Sequence, residues 1–115
     1  MKFLHVTIQT NRFEEEIEFY ENEAGLTIQR DMRPMKDLVF LANEEGDTCV
    51  EIINNPEAVD AGNSNLSIGF ATEDVVQKRE NLIEAGYKVT PMISPMPDVQ
   101  FFFVTDPAGV SVQFI

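Results

Sequence analysis

Polar and apolar residues alternate along "KFLHVTIQ", with Leu4, Val6 and Ile8 on one side and Phe3, His5, Thr7 and Gln9 on the other. A period of two in a segment rich in β-branched and aromatic residues predicts a strand. The spacing then changes. In "NRFEEEIEFYENEAG", Phe13, Ile17 and Tyr20 recur at helical intervals. Asn11 is the expected N-cap, and Glu14, Glu15 and Glu16 fall in the first turns, where the helix dipole favours negative charge. Gly25 is the expected stop, and the acidic run reads as a solvated helix face. Three strand-like segments follow, "LTIQRDM", "DLVFLA" and "TCVEII", separated by turns containing Pro34 and "NEEG".

After the polar linker "NNPEAVDAGNSN" the same order returns. "NLSIGFAT" reads as a strand and "EDVVQKRENLIEAG" as a helix that buries Val75, Val76, Leu82 and Ile83. "YKVTPMI", "VQFFFVT" and "VSVQFI" read as three more strands. The first and last strands of the two halves align residue by residue, and "EAGL" aligns with "EAGY" after a one-residue slip within the helices. Leu4 falls with Leu66, Val6 with Ile68, Ile8 with Phe70 and Thr10 with Thr72, while "CVEII" falls on "SVQFI" at the same offset. Such self-similarity marks an internal duplication. The expectation is an α+β fold of two β-α-β-β-β modules within one domain, residues 1–115. Module one covers about 1–54, the linker about 55–64 and module two about 65–115.

Composition narrows the partners. The chain has 115 residues, enough to bury a core without staples, and a net charge of −12. That charge argues against nucleic acid and anionic membranes, since phosphate is held by Lys and Arg. No apolar run approaches the length of a membrane span. The N-terminus lacks a leader's apolar stretch, and the lone Cys49 cannot form an internal disulfide. Together these point to a cytoplasmic protein.

The duplication also pairs polar side chains. His5 falls with Ser67, and Glu51 with Gln113. With Leu4, Val6 and Ile8 packed on the helix, His5 must face away from it, and by the same alternation so must Ser67 and Gln113. The outward face of the fifth strand reads Asn65, Ser67, Gly69 and Ala71, all small or polar, which leaves room for a ligand. The apolar flanks of Glu51 imply partial burial, which is costly for a carboxylate without a partner. In the run 101–103 neighbouring phenylalanines point opposite ways, and those on the open face, with Phe101 and Phe103 as candidates, would line an apolar site. Arg30 and Arg33 read as a solvated strand end, with holding of an anionic substrate group as the alternative. "DPAG" fits a type I turn. Cys49 reads as inert, with no basic neighbour in sequence. No phosphate-binding glycine loop, nucleophile elbow or zinc motif is found.

The paired modules, a histidine in the first strand and the "DPAG" turn before the last strand resemble the vicinal oxygen chelate superfamily, the group of glyoxalase I, bleomycin-resistance proteins, extradiol dioxygenases and fosfomycin-resistance enzymes. The matching stretches are "LHVTIQT", "IEFYENEAGLTI" and "FFFVTDPAGVSVQFI". The resemblance implies sheets curled into a cup with helices outside, and a homodimer that takes a small-molecule ligand. It also implies metal ligands at the four repeat-related positions. His5, Glu51 and Gln113 would hold a divalent Ni, Zn, Mn or Fe ion, with Glu51 as catalytic base. Ser67 stands where many members have histidine, and joins Gln9, Phe101 and Phe103 as a substrate-binding candidate. Gln113 stands where many have glutamate, so the second half of the centre is partly degenerate. Gln9 replaces an arginine that helps hold glutathione in bacterial glyoxalase I, which counts against glutathione as substrate. Two readings stay open: a glyoxalase-like lyase or isomerase, and a metal-free sequestration protein of the bleomycin-resistance type, whose acidic charge would suit a cationic ligand. Extradiol ring cleavage needs two histidines at the metal, and this chain has one.

Overall fold

The computed structural model describes residues 1–62 and 65–115, so positions 63 and 64 of the expected linker lie outside the described residues. The chain divides into two compact units, Met1–Asp60 and Ala61–Ile115. Each unit has the order strand, helix, three strands, which is the expected α+β fold of two modules.

In the first unit β1 (His5–Thr10), α1 (Phe13–Asn22), β2 (Thr27–Asp31), β3 (Leu38–Ala42) and β4 (Cys49–Asn54) follow one another. The sheet order is β1-β4-β3-β2. β1 runs parallel to β4, and the other pairs are antiparallel. Because strand side chains alternate, every register position assigns a face. Ile8, Val39, Leu41, Val50 and Ile52 are buried together with Phe13, Ile17 and Tyr20 of α1. His5, Thr7, Gln9 and Glu51 lie on the opposite face.

Several sequence expectations change here. Leu4 precedes β1 and is exposed, so the packed side of the strand is Val6, Ile8 and Thr10. Arg12, not Asn11, occupies the N-cap position of α1, and its side chain makes no capping bond. The Thr10 hydroxyl accepts from the Arg12 backbone N–H at 3.0 Å, while the Asn11 amide donates to the Ala58 carbonyl. The acidic run is not one solvated face, because Glu16 is completely buried. It falls on the stripe Phe13, Glu16, Ile17, Tyr20, which helical periodicity turns inward. Gly25 adopts φ +70°, a left-handed conformation that suits glycine and ends the helix region as expected.

The second unit runs β5 (Ser67–Phe70), α2 (Val75–Glu84), β6 (Ile93–Met96), β7 (Val99–Thr105) and β8 (Ser111–Phe114), in sheet order β5-β8-β7-β6. Leu82, Phe102, Val104, Val112 and Phe114 form its core. Asp74 caps α2 by accepting from the Gln77 N–H. Val76 and Ile83, expected inside, are exposed. The helix turns Val75, Lys78, Arg79 and Leu82 inward instead. The two long cationic side chains can do this because their stems are apolar. Lys78 reaches the Phe114 ring and Arg79 donates to the Thr90 carbonyl. "YKVTPMI" is not a strand. Val89 forms an isolated bridge to Val104, Pro91 has no N–H to continue a ladder, and β6 starts only at Ile93. "DPAG" makes the expected turn, with the Gly109 N–H on the Asp106 carbonyl and the Asp106 side chain accepting from Ala108 and Val110.

Candidate functional site

The first unit gathers its chemistry on the open face of the sheet, opposite α1. The parallel register sets Thr7 beside Glu51, with His5 beside Cys49 and Gln9 beside Ile53. Across β3, Phe40 lies on the other flank of Glu51. The Glu51 residue is only 9% exposed. Its carboxylate is held in place by short contacts. The Thr7 hydroxyl donates to Oε1 at 2.6 Å, and His5 Nε2 lies 3.5 Å from the same oxygen. Phe40 meets the His5 ring edge-on, with centroids 5.8 Å apart. A β-branched Thr7, an imidazole and a phenyl ring therefore fix one acid between them, and the His5 side chain stays 40% exposed, open to a ligand.

Thr7 and Phe40 were not among the residues singled out in the sequence. The signal for Thr7 was present, since alternation sets it on the face of His5 and Gln9. What was missing was the register that brings β1 beside β4. Gln9 does lie on the open face, but its side-chain oxygen accepts from the Asn55 amide at 2.9 Å. Cys49 is half-buried on the same face, its thiol turned toward the Asp47 carbonyl.

The second unit repeats the registers with other chemistry. Ser67 pairs with Ser111, and Gly69 with Gln113. Phe103 flanks Gln113 on the other side. Gly69 thus occupies the position of Thr7, and Phe103 that of Phe40. A Cβ at Gly69 would lie 3.2 Å from Gln113 Oε1, so a larger residue there would require the amide to give by a few tenths of an ångström. Phe101 and Phe103 share the face of Gln113, half-buried, with their rings edge-on at 5.8 Å, while Phe102 points into the core. Ser67 is exposed at the start of β5.

The donor set can be tested against a divalent ion. Catalytic zinc sites take three protein ligands, with N and O donors at about 2.0–2.2 Å. Two ligands at such distances and tetrahedral angles sit about 3.4 Å apart, and His5 Nε2 and Glu51 Oε1 are separated by 3.5 Å. The pair therefore fits one edge of a tetrahedral site in type and spacing. Among the described residues no three His, Cys, Asp or Glu side chains cluster in a metal-binding group, so a further ligand would have to be of another kind, such as an amide oxygen or water.

A duplicated βαβββ fold with a histidine–carboxylate pair on an open sheet face defines a class of small-molecule proteins. The chain belongs to the Glyoxalase/Bleomycin resistance protein/Dioxygenase superfamily, whose model matches residues 2–114. It is 27% identical to the lactoylglutathione lyase of Neisseria meningitidis serogroup A over 124 aligned positions, covering 100% of this chain and 90% of that protein. Its fold is similar to that of the trypanothione-dependent glyoxalase I of Leishmania major, with a TM-score of 0.77, 21% identity, and 100% of this chain and 86% of that one covered. The fosfomycin resistance protein FosX of Mesorhizobium loti gives a TM-score of 0.75 at 17% identity, with 98% and 89% covered. Among the described residues no helix is long and apolar enough to cross a membrane.

Proposed function

We propose that this chain is a glyoxalase-like enzyme of lyase or isomerase type, acting on a small molecule at the open face of its first unit. In this proposal His5 and Glu51 ligate a divalent Ni, Zn, Mn or Fe ion, and Glu51 is the base. The observation that carries it is the Glu51 carboxylate, nearly buried, with Thr7 Oγ1 at 2.6 Å and His5 Nε2 at 3.5 Å. A bound ion would polarise a substrate oxygen and ease removal of a neighbouring proton. The chain's own contribution is to hold one carboxylate oxygen still with Thr7, leave the other edge for the proton, and keep His5 in a fixed orientation against Phe40. The full-length match to lactoylglutathione lyases supports this class of chemistry. The substrate is proposed to be other than a glutathione conjugate, because Gln9 brings no positive charge and its oxygen is engaged by Asn55.

The test is calorimetric titration of the chelator-stripped full chain with Ni²⁺, Zn²⁺, Mn²⁺ and Fe²⁺. Stoichiometric binding that is lost in both His5→Ala and Glu51→Ala is the expected result. No binding by the wild type, or binding indifferent to both substitutions, would sink the proposal. One observation favours a second reading, sequestration without metal. On the face of the second unit an uncharged amide, Gln113, sits beside Phe103 and near Phe101 and Ser67, which suits an apolar ligand fixed by a few hydrogen bonds. A homodimer belongs to either reading.

A further inference from the structure

β2 contains a bulge, and the bulge decides which way an arginine points. Thr27 pairs with Ala42 and Ile28 with Leu41, but the next pair is Arg30 with Phe40, so Gln29 is the extra residue. In an unbroken ladder Gln29 would face Phe40 and Arg30 would face Val39, which is completely buried on the α1 side. The bulge moves Arg30 to the open face, in one cross-strand row with Phe40, Glu51 and Thr7. Bulges of this kind re-aim side chains and are frequent at sheet edges and beside active sites. This one is secured from within, since the Gln29 amide donates to the Thr27 and Ala42 carbonyls.

Arg30 also differs from its neighbours in what it touches. Arg12 is bonded to Glu15, Arg33 makes two bonds to Asp31, and Arg79 is bonded to the Thr90 carbonyl. Arg33 and Asp31 lie toward α1, where Arg33 also approaches Glu14 and the Phe13 ring. Arg30 is exposed, and among the described residues its side chain has no hydrogen bond or ion pair. An arginine turned to the ligand-bearing face and left without a carboxylate, in a chain of net charge −12, is a free anion receptor. The overall negative charge does not cancel it, because screening limits distant charges to about 8–10 Å at ordinary salt.

We infer that Arg30 is a specificity-determining residue that holds the oxyanion of a small organic ligand, a carboxylate or phosphate, while the ligand's apolar body lies on Phe40 and its other end reaches Glu51 and His5. β2 and β4 are two strand spacings apart, so the anionic group and the polar end are separated by about 10 Å. The inference deepens the proposed function by naming a substrate class, and rests on that reading of the face as a ligand site.

The test uses three probes of matched length on the full chain: 5-phenylpentanoate, 4-phenylbutyl phosphate and the neutral 5-phenylpentanamide. Binding is read from amide and Arg Nε shifts in ¹H–¹⁵N NMR titrations. At least one anion is expected to bind saturably, at least about tenfold more tightly than the amide, with shifts at Arg30, Phe40 and Glu51. The better of the two anions identifies the oxyanion. Arg30→Gln should abolish the preference over the amide, Arg30→Lys should keep part of it, and Lys36→Gln, which removes the same charge elsewhere in the unit, should leave it intact. Equal affinity for anions and amide overturns the inference. So do a preference that survives Arg30→Gln, an equal loss in Lys36→Gln, and the absence of saturable anion binding. The metal titration with His5 and Glu51 variants does not involve Arg30, so either idea can fail while the other stands.

Discussion

Replacing Thr7 with valine removes one hydroxyl and almost nothing else. Valine keeps the β-branched shape that suits a strand, so β1 should pair as before. The lost bond is the 2.6 Å donation to Glu51, whose side chain is 12% exposed. Hydrogen bonds to charged groups are worth about 1.5–3 kcal/mol, and a carboxylate with little access to water recovers only part of that from solvent. Thr7→Val should therefore destabilise the protein by about 1.5–3 kcal/mol in urea unfolding at pH 7. With a slope of about 1–3 kcal/mol per molar urea, the midpoint falls by roughly 1 M. The control is a double-mutant cycle. In a Glu51→Leu background the acceptor is gone, and the same substitution should cost no more than about 0.5 kcal/mol, the scale of an ordinary surface change. A cost below that scale in the wild-type background, or an equal cost in both, would show that Thr7 does not hold Glu51 and would remove the physical basis of the site.

Two further outcomes follow from the packing and charges. The side-chain hydrogen bond from Arg33 pulls the Asp31 carboxyl down to about 2, with backbone bonding and charge adding to it. The folded value lies below the ordinary carboxylate range near 3.9, so the stabilisation is present above that range and is lost as pH falls toward 2. Side-chain ¹³C titration should place Asp31 there and show it moving upward in Arg33→Gln, and an unmoved titration would refute the pairing. In the run 101–103, Phe102→Ala should cost about 3–5 kcal/mol because that ring is completely buried. Phe103→Ala should cost clearly less from its half-buried position on the open face, and equal costs in urea unfolding would contradict the assignment of faces.

The duplication was legible because it is written in strand periodicity, which needs no tertiary information. β7 appears over the span that its alternation marks, and His5, Glu51 and Gln113 face away from their helices as the pattern requires. What stayed hidden depends on pairing between segments. Nothing in "LTIQRDM" marks a bulge, since it contains neither glycine nor proline, yet the bulge at Gln29 reverses the side on which Arg30 lies. Thr7 could be assigned a face but not a partner until β1 was set parallel to β4. Glu16 was legible in principle, as it sits on the stripe of Phe13, Ile17 and Tyr20, but three consecutive glutamates disguised one inward position as part of a charged surface. Val76 and Ile83 misled in the opposite direction. Hydrophobicity assigned them to the core, while the stems of Lys78 and Arg79 took those inward positions.

The matched registers of the two sheets make neighbouring substitutions interdependent. Where one copy has an acid, its cross-strand neighbour Thr7 is a donor, and where the other has an amide, the neighbour is Gly69. The two pairs are matched differently: an acid at 113 would have no hydroxyl beside it, and a Cβ at 69 would stand 3.2 Å from the present amide oxygen, which would have to give by a few tenths of an ångström. Converting one half-site into the other therefore takes two matched substitutions, one on each of two neighbouring strands. The chemistry of each half is in this sense a property of a strand pair and not of a single residue.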